Sequence, residues 1–215
     1  MTQGDKPDEE KQDARPEYPE IIQASWSGDV ERLNTLLAGG ADPNNRNEWG
    51  ETTFTRIVGD LSSSKNPNRY EIVRVLLQAG ADPRLLDGTE GDDDRGGPLT
   101  YAMLNMDTEM MRLLLEAGAD PNTESGASPG ETFYDWAEFD YRYEVYDFRL
   151  PEEPAEADRA DEGAWLLYLD RLAVRHGKHR PDHLFLLRGY GARSCSDGVG
   201  TGDGAVTAST DRGNA

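Results

Sequence analysis

A nine-residue stretch recurs three times in this chain of 215 residues and constrains its fold more than any other feature. Leu36-Leu37-Ala38-Gly39-Gly40-Ala41-Asp42-Pro43-Asn44 returns as Leu76-Leu77-Gln78-Ala79-Gly80-Ala81-Asp82-Pro83-Arg84 and as Leu114-Leu115-Glu116-Ala117-Gly118-Ala119-Asp120-Pro121-Asn122. The starts lie 40 and 38 residues apart, and a weaker copy, Leu186-Leu187-Arg188-Gly189-Tyr190-Gly191-Ala192-Arg193, follows. Each copy reads as a helix end. The leucine pair closes an apolar face, the glycine takes the left-handed conformation that stops the helix, and Pro and Asn turn the chain away. Repetition at this period marks a stacked array, because no single unit can cover its own apolar face.

Upstream of each stop the apolar residues keep helical spacing. Val73, Leu76 and Leu77 fall at i, i+3 and i+4, as do Met111, Leu114 and Leu115. Shorter helices are predicted before these, at Ile21 to Trp26, Phe54 to Val58, Leu99 to Asn105 and Phe133 to Phe139. The predicted unit is turn, helix, turn, helix.

This unit resembles the ankyrin repeat. The likeness rests on the Leu-Leu-x-x-Gly-Ala-Asp-Pro-Asn ending and on the family's opening, Gly-x-Thr-Pro-Leu-His-x-Ala-Ala. That opening is echoed by Gly50-Glu51-Thr52-Thr53-Phe54-Thr55, by Gly96-Gly97-Pro98-Leu99-Thr100 and by Gly130-Glu131-Thr132-Phe133-Tyr134-Asp135. Thr53 and Phe133 stand where the family has Pro, and Thr55, Thr100 and Asp135 where it has His. The resemblance implies an all-α solenoid of stacked helix pairs with hairpin turns, in four repeats at about 19–48, 49–87, 95–124 and 128–193.

Against a family period of ~33 residues, the second unit is longer by ~7 and the third by ~5, and the fourth holds an insertion of ~40. That insertion, about 141–179, contains a Pro/Glu-rich loop and a predicted extra amphipathic helix at Glu162 to Arg175, with Trp165, Leu166, Leu169, Leu172 and Ala173 at helical spacing. Residues 1–17 and 194–215 are polar or Gly/Ser-rich and are predicted to be disordered, leaving 18–193 as the folded domain.

Charge limits the partners. There are 42 acidic against 22 basic side chains, a formal net charge of -20. Such a surface repels phosphate, so neither nucleic acid nor an anionic membrane is an expected partner. The longest apolar run, Ala164 to Leu169, is far short of the roughly 20 residues that cross a bilayer. Residues 1–8 lack a leader pattern, and a single cysteine makes no internal disulfide, so a cytoplasmic monomer is expected.

Catalytic signatures are sparse. Phosphate-loop, zinc-protease and serine-hydrolase motifs are missing from the sequence. His176, His179 and His183 lie close enough in sequence to suggest a zinc site, but Gly177 and Pro181 interrupt the helix that would align them, and five arginines and lysines surround them. Cys195 sits in the predicted tail, without a base to activate it. A metal-dependent or cysteine-based enzyme built on the insertion and this histidine cluster is therefore the alternative reading. The main expectation is a non-enzymatic protein-binding module without a cofactor.

Two further features bear on binding. Eight of the 18 aromatic residues fall in 133–148, where they either clamp the insertion on the array or form contact anchors. Residues 152–162 hold six acids and one base and residues 171–193 the reverse, which predicts an internal attraction.

The resemblance also implies a binding surface. Ankyrin arrays present a concave face built from hairpin tips and first helices. The family's contact positions, carried over by alignment, fall on Glu48, Trp49, Glu51 and Asp60 in the second unit, on Asp93, Asp94, Leu104 and Asn105 in the third, and on Glu131, Phe139 and Asp140 in the fourth. This set has seven acids and no base, and it implies a groove for a basic protein segment.

Overall fold

A computed structural model describes residues 18–88, 96–123 and 131–198. Among these the chain is helical, with one isolated antiparallel bridge between Arg46 and Thr52. Helices α1 (Glu20–Ser27) and α2 (Val30–Ala38) form the first pair, α3 (Thr53–Ser62) and α4 (Arg69–Gln78) the second, and α5 (Pro98–Leu104) and α6 (Thr108–Glu116) the third. The fourth pair is α7 (Phe133–Tyr146) with α9 (Asp182–Gly189), and α8 (Glu162–His176) is inserted between them. First helices α1, α3, α5 and α7 pack side by side in one layer, while α2, α4, α6 and α9 form the second. The all-α repeat expected from the sequence is the fold observed.

The repeated stop works as its residues require. Gly40, Gly80, Gly118 and Gly191 all have positive φ, between 81° and 103°. Just beyond each, the Ala N–H (Ala41, Ala81, Ala119, Ala192) donates to the Leu carbonyl five residues back, at 3.0 Å in every copy. Side chains start the helices: Asp29, Thr52, Asp107, Thr132 and Asp161 each accept from a backbone N–H of the first turn.

Asparagine then joins units. Asn44 Nδ2 donates to Gly80 O at 2.8 Å, and its Oδ1 accepts from Asp82 N at 2.8 Å. Asn122 repeats this geometry with Gly191 O (3.0 Å) and Arg193 N (2.9 Å). The fourth unit therefore keeps its register on the third despite the insertion. In the second unit Arg84 takes the asparagine position and turns back on Asp82 of its own turn, Nε to Oδ1 at 2.8 Å.

The extra helix lies where the sequence pattern puts it. Leu166, Leu169, Leu172 and Ala173 are buried toward the array, each such leucine contributing about 1.5–3 kcal/mol. The acidic loop before it is clipped to its basic outer side. Glu152 meets Arg175 and His176, and Asp158 meets Arg171.

Three extents differ from expectation. α3 runs to Ser62 rather than ending at Val58, because Leu61 is buried with its helix. α7 does not stop at Phe139 but runs to Tyr146, because its buried row, Phe133, Tyr134, Ala137 and Tyr141, continues past that point. The described fold also continues past Arg193. Ser194 is buried and donates its hydroxyl to Asp135 Oδ1 at 2.9 Å, Cys195 N donates to Asp135 Oδ2 at 3.1 Å, and a short 3-10 turn spans Cys195–Gly198. A carboxylate on α7 thus holds a Gly/Ser-rich segment with no apolar group of its own to bury. Of the stretches predicted to be disordered, 1–17 and 194–215, residues 1–17 and 199–215 lie outside the described residues.

Candidate partner-binding face

The hairpin between α2 and α3 is shaped by its own polar side chains. Asn47 Oδ1 accepts from the N–H groups of Trp49 and Glu51, both at 3.0 Å, and Asn47 Nδ2 donates to Glu51 Oε2 at 2.9 Å. The Arg46 guanidinium donates to Gly50 O and, across the hairpins, to Leu86 O at 2.9 Å. Gly50 has φ 77°, and a Cβ there would lie 3.0 Å from Gly88 O, so any larger residue would be strained at this position. Held in this way, the turn lifts Trp49 into solvent, 73% exposed.

Between this hairpin and the start of α1 is a cleft of 310 Å³, lined by Tyr18, Ile22, Glu48, Trp49, Glu51 and Arg56 among others. Three residues of the expected contact set, Glu48, Trp49 and Glu51, therefore share one concavity. Its floor is braced by a network the sequence did not reveal. Trp26 Nε1 donates to Asp60 Oδ2 at 2.8 Å, Arg56 Nε donates to the same oxygen at 2.9 Å, and the Arg56 guanidinium lies over the rings of Tyr18 and Trp26. Asp60 is thus a brace for Trp26 rather than a free acid of the groove. The expected set holds no base, whereas among the described residues Arg46 and Arg56 lie on this face, each turned onto protein acceptors. The Asp60 to Arg56 spacing of four residues on a helix was the available signal for one of them.

Farther along, Asp87 enters the same face from the next hairpin. It accepts from Thr52 N at 3.2 Å. Burial, with Glu51 nearby, pushes its carboxyl up to about 6. Asp93 and Asp94 lie outside the described residues. Leu104 and Asn105 stand exposed at the end of α5, where Asn105 Nδ2 donates to Tyr101 O at 2.8 Å. Glu131 is exposed just before α7, and Phe139 and Asp140 lie on α7 itself. Burial and the neighbouring Glu144 push the Asp140 carboxyl up. Glu48, Glu51, Asp87, Glu131 and Asp140 form no ion pair with a described cation, whereas Glu109 of the second layer pairs with both Arg74 and Arg112.

The histidine and cysteine residues of the alternative reading lie in differing surroundings. His183 is wholly buried against Tyr141, His176 Nε2 bonds Glu152 Oε1 at 2.8 Å, and His179 is engaged through its carbonyl, which accepts from Tyr141 OH at 2.6 Å. Among the described residues no group of three or more His, Cys, Asp and Glu side chains is placed to hold a metal ion. Its hydrogen bond with Asp135 pushes the Cys195 thiol up, away from the reactive thiolate.

Helix pairs joined in register by repeated turns define a repeat scaffold of the kind that binds other proteins. Residues 21–125 match the family model described as ankyrin repeats (3 copies), and this part of the chain is an ankyrin-repeat array. That family is one of protein–protein interaction modules and is typically non-enzymatic. The fourth helix pair and its insertion lie beyond the matched residues. No described helix is long and apolar enough to cross a membrane.

Proposed function

We propose that the protein binds a basic segment of a partner protein on the face formed by its hairpins and first helices, acting as a non-enzymatic monomeric module. The observation that supports this most directly is the cleft beside Trp49. An exposed indole and Tyr18 offer apolar surface, while Glu48 and Glu51 stand at the same opening without a cationic partner among the described residues. An aliphatic stem ending in a cation suits that combination, and carboxylates within a Debye length of one another, ~8 Å at physiological salt, add their fields.

The test is capture of a partner at low salt followed by kinetics on variants. Association is expected to slow as salt rises, and Glu48→Lys with Glu51→Lys is expected to remove most of that dependence. Trp49→Ala should instead speed dissociation, at a cost of about 2 kcal/mol. A partner that binds the double charge reversal as tightly as the wild type, with unchanged salt dependence, would overturn the assignment.

A further inference from the structure

Helix α7 has 14 residues where α1, α3 and α5 have 8, 10 and 7, about one turn more than the longest of these. Its buried row faces the stack. The exposed side carries two other rows, both at helical spacing. One is aromatic: Phe139 and Tyr143, four residues apart, joined by Phe148, which folds back to 4.8 Å from the first ring and 5.4 Å from the second. These rings are 50%, 50% and 45% exposed. The other row is acidic: Asp140, Glu144 and Asp147, at i, i+4 and i+7. None of the three forms an ion pair with a described cation, and the nearest arginine in the helix, Arg142, is taken by Glu138 at 2.6 Å.

The backbone after α7 holds this arrangement at some cost. Asp147 and Phe148 have φ values of 48° and 55°, two consecutive non-glycine residues in the left-handed region. Aspartate adopts that region readily as a helix cap; phenylalanine does so rarely. Asp147 N donates to Tyr143 O and Phe148 N to Arg142 O, which closes the helix end and sets the Phe148 ring against the other two at the surface. The left-handed backbone keeps the Phe148 ring half-exposed against Phe139 and Tyr143, although burial would favour the reverse.

We infer that this double row seats an amphipathic basic helix of a partner protein, with its aliphatic row on Phe139, Tyr143 and Phe148 and a Lys/Arg row along Asp140, Glu144 and Asp147. Charge complementarity sets the sign of the partner. The spacing sets its form, since rows that advance one helical turn per step, about 5.4 Å, stay in phase with the rows of a second helix laid alongside. The same-side residues of an extended segment, about 7 Å apart, drift out of phase. The inference deepens the function proposed above at one edge, with which it shares Phe139 and Asp140, and the experiment separates the two.

The probe is a synthetic peptide of Leu and Lys patterned as an amphipathic helix, with a control of identical composition scrambled to abolish the apolar row, each titrated against the full chain. The patterned peptide should bind about tenfold more tightly or better than the control, and Tyr143→Ala and Phe148→Ala should each remove that preference. Phe148→Gly relieves the left-handed backbone, so it is expected to raise the Tm while abolishing the preference, an outcome that a purely structural role for this ring does not produce. Trp49→Ala should change nothing. Equal binding of the two peptides, or wild-type preference in Tyr143→Ala and Phe148→Ala, overturns the inference. Loss on Trp49→Ala alone places the peptide in the hairpin cleft, which overturns it while leaving the function proposed above standing. Self-association of the chain that is abolished by Tyr143→Ala overturns it in favour of a second copy as the occupant.

Discussion

The junction between the first and second helix pairs and the junction between the third and fourth are made by the same side chain in the same geometry, although Asn44 reaches 36 residues ahead and Asn122 reaches 69. What lies behind the two junctions differs. The first three pairs close over aliphatic and methionine side chains with Phe54, such as Leu33, Ile57, Leu76, Leu99 and Met110. The fourth closes over Phe133, Tyr134, Tyr141, Tyr146 and His183. Its polar atoms are poorly served: both ring nitrogens of His183 are buried without a hydrogen bond among the described residues. A repeat can thus accept ~40 inserted residues if its turn keeps the inter-unit bonds, while the core beneath becomes aromatic, polar and less forgiving.

The largest expected effect sharpens this contrast through acid. Burial, with His179 nearby, holds His183 down at about 3, whereas in the unfolded chain it titrates near 6.5. A base depressed on folding leaves stability complete above pH ~6.5 and draws it down as the pH falls toward about 3, by several kcal/mol in all. Hydrogen exchange should therefore show α7, α8 and α9 losing protection first on acidification, with α1 to α6 following. His183→Phe, which keeps a ring against Tyr141, should abolish the difference. Simultaneous loss across all helices in the wild type would break the comparison.

A smaller effect of opposite sign is expected at the second and third hairpins. Asp87 titrates at about 6 in the folded chain against 3.8 unfolded, so its ionisation opposes folding, and the penalty grows as pH rises from ~4 through about 6. Asp87→Asn keeps the acceptor for Thr52 N and should stabilise the protein by about 1–2 kcal/mol at neutral pH and hardly at all below pH 4. Denaturant midpoints at the two pH values check this. An equal gain at both would show that the carboxyl is not held neutral by its surroundings.

The smallest effect concerns the one junction that departs from the pattern. Arg84 lies where Asn44 and Asn122 make their inter-unit bonds. Arg84→Asn should let the second unit reach the Gly118–Asp120 turn of the third and stabilise the stack by about 1 kcal/mol. Asn44→Arg should cost a similar amount. If neither substitution moves the thermal midpoint, the asparagine links are incidental to the register.

Much of this molecule was legible along the chain because the physics responsible is local. The left-handed glycines, the side-chain caps and the apolar spacing of α8 all act within a few residues, and helix α8 begins at the Glu162 expected of it. The acidic loop and the basic helix after it were also legible as opposite charges, and they meet through Glu152 and Arg175. Other features had no local signature. α7 continued to Tyr146 because a buried row outweighs the Asp and Glu residues alternating with it, and only packing reveals which row is buried.

The candidate site shows the same division. The sequence by itself determined the repeat, its stops and the positions from which Glu48, Trp49 and Glu51 project, since turn chemistry and period set these. Only the tertiary structure decided that Asp60 would be taken by Trp26, 34 residues away, that Ser194 and Cys195 would be ordered by Asp135, and that Phe139, Tyr143 and Phe148 would meet at the surface. The physical reason is range. Helix stops and caps are settled by a residue's nearest neighbours, whereas the partner of a side chain at distant sequence separation is selected by the stack, which exists only once every unit has buried its face against the next.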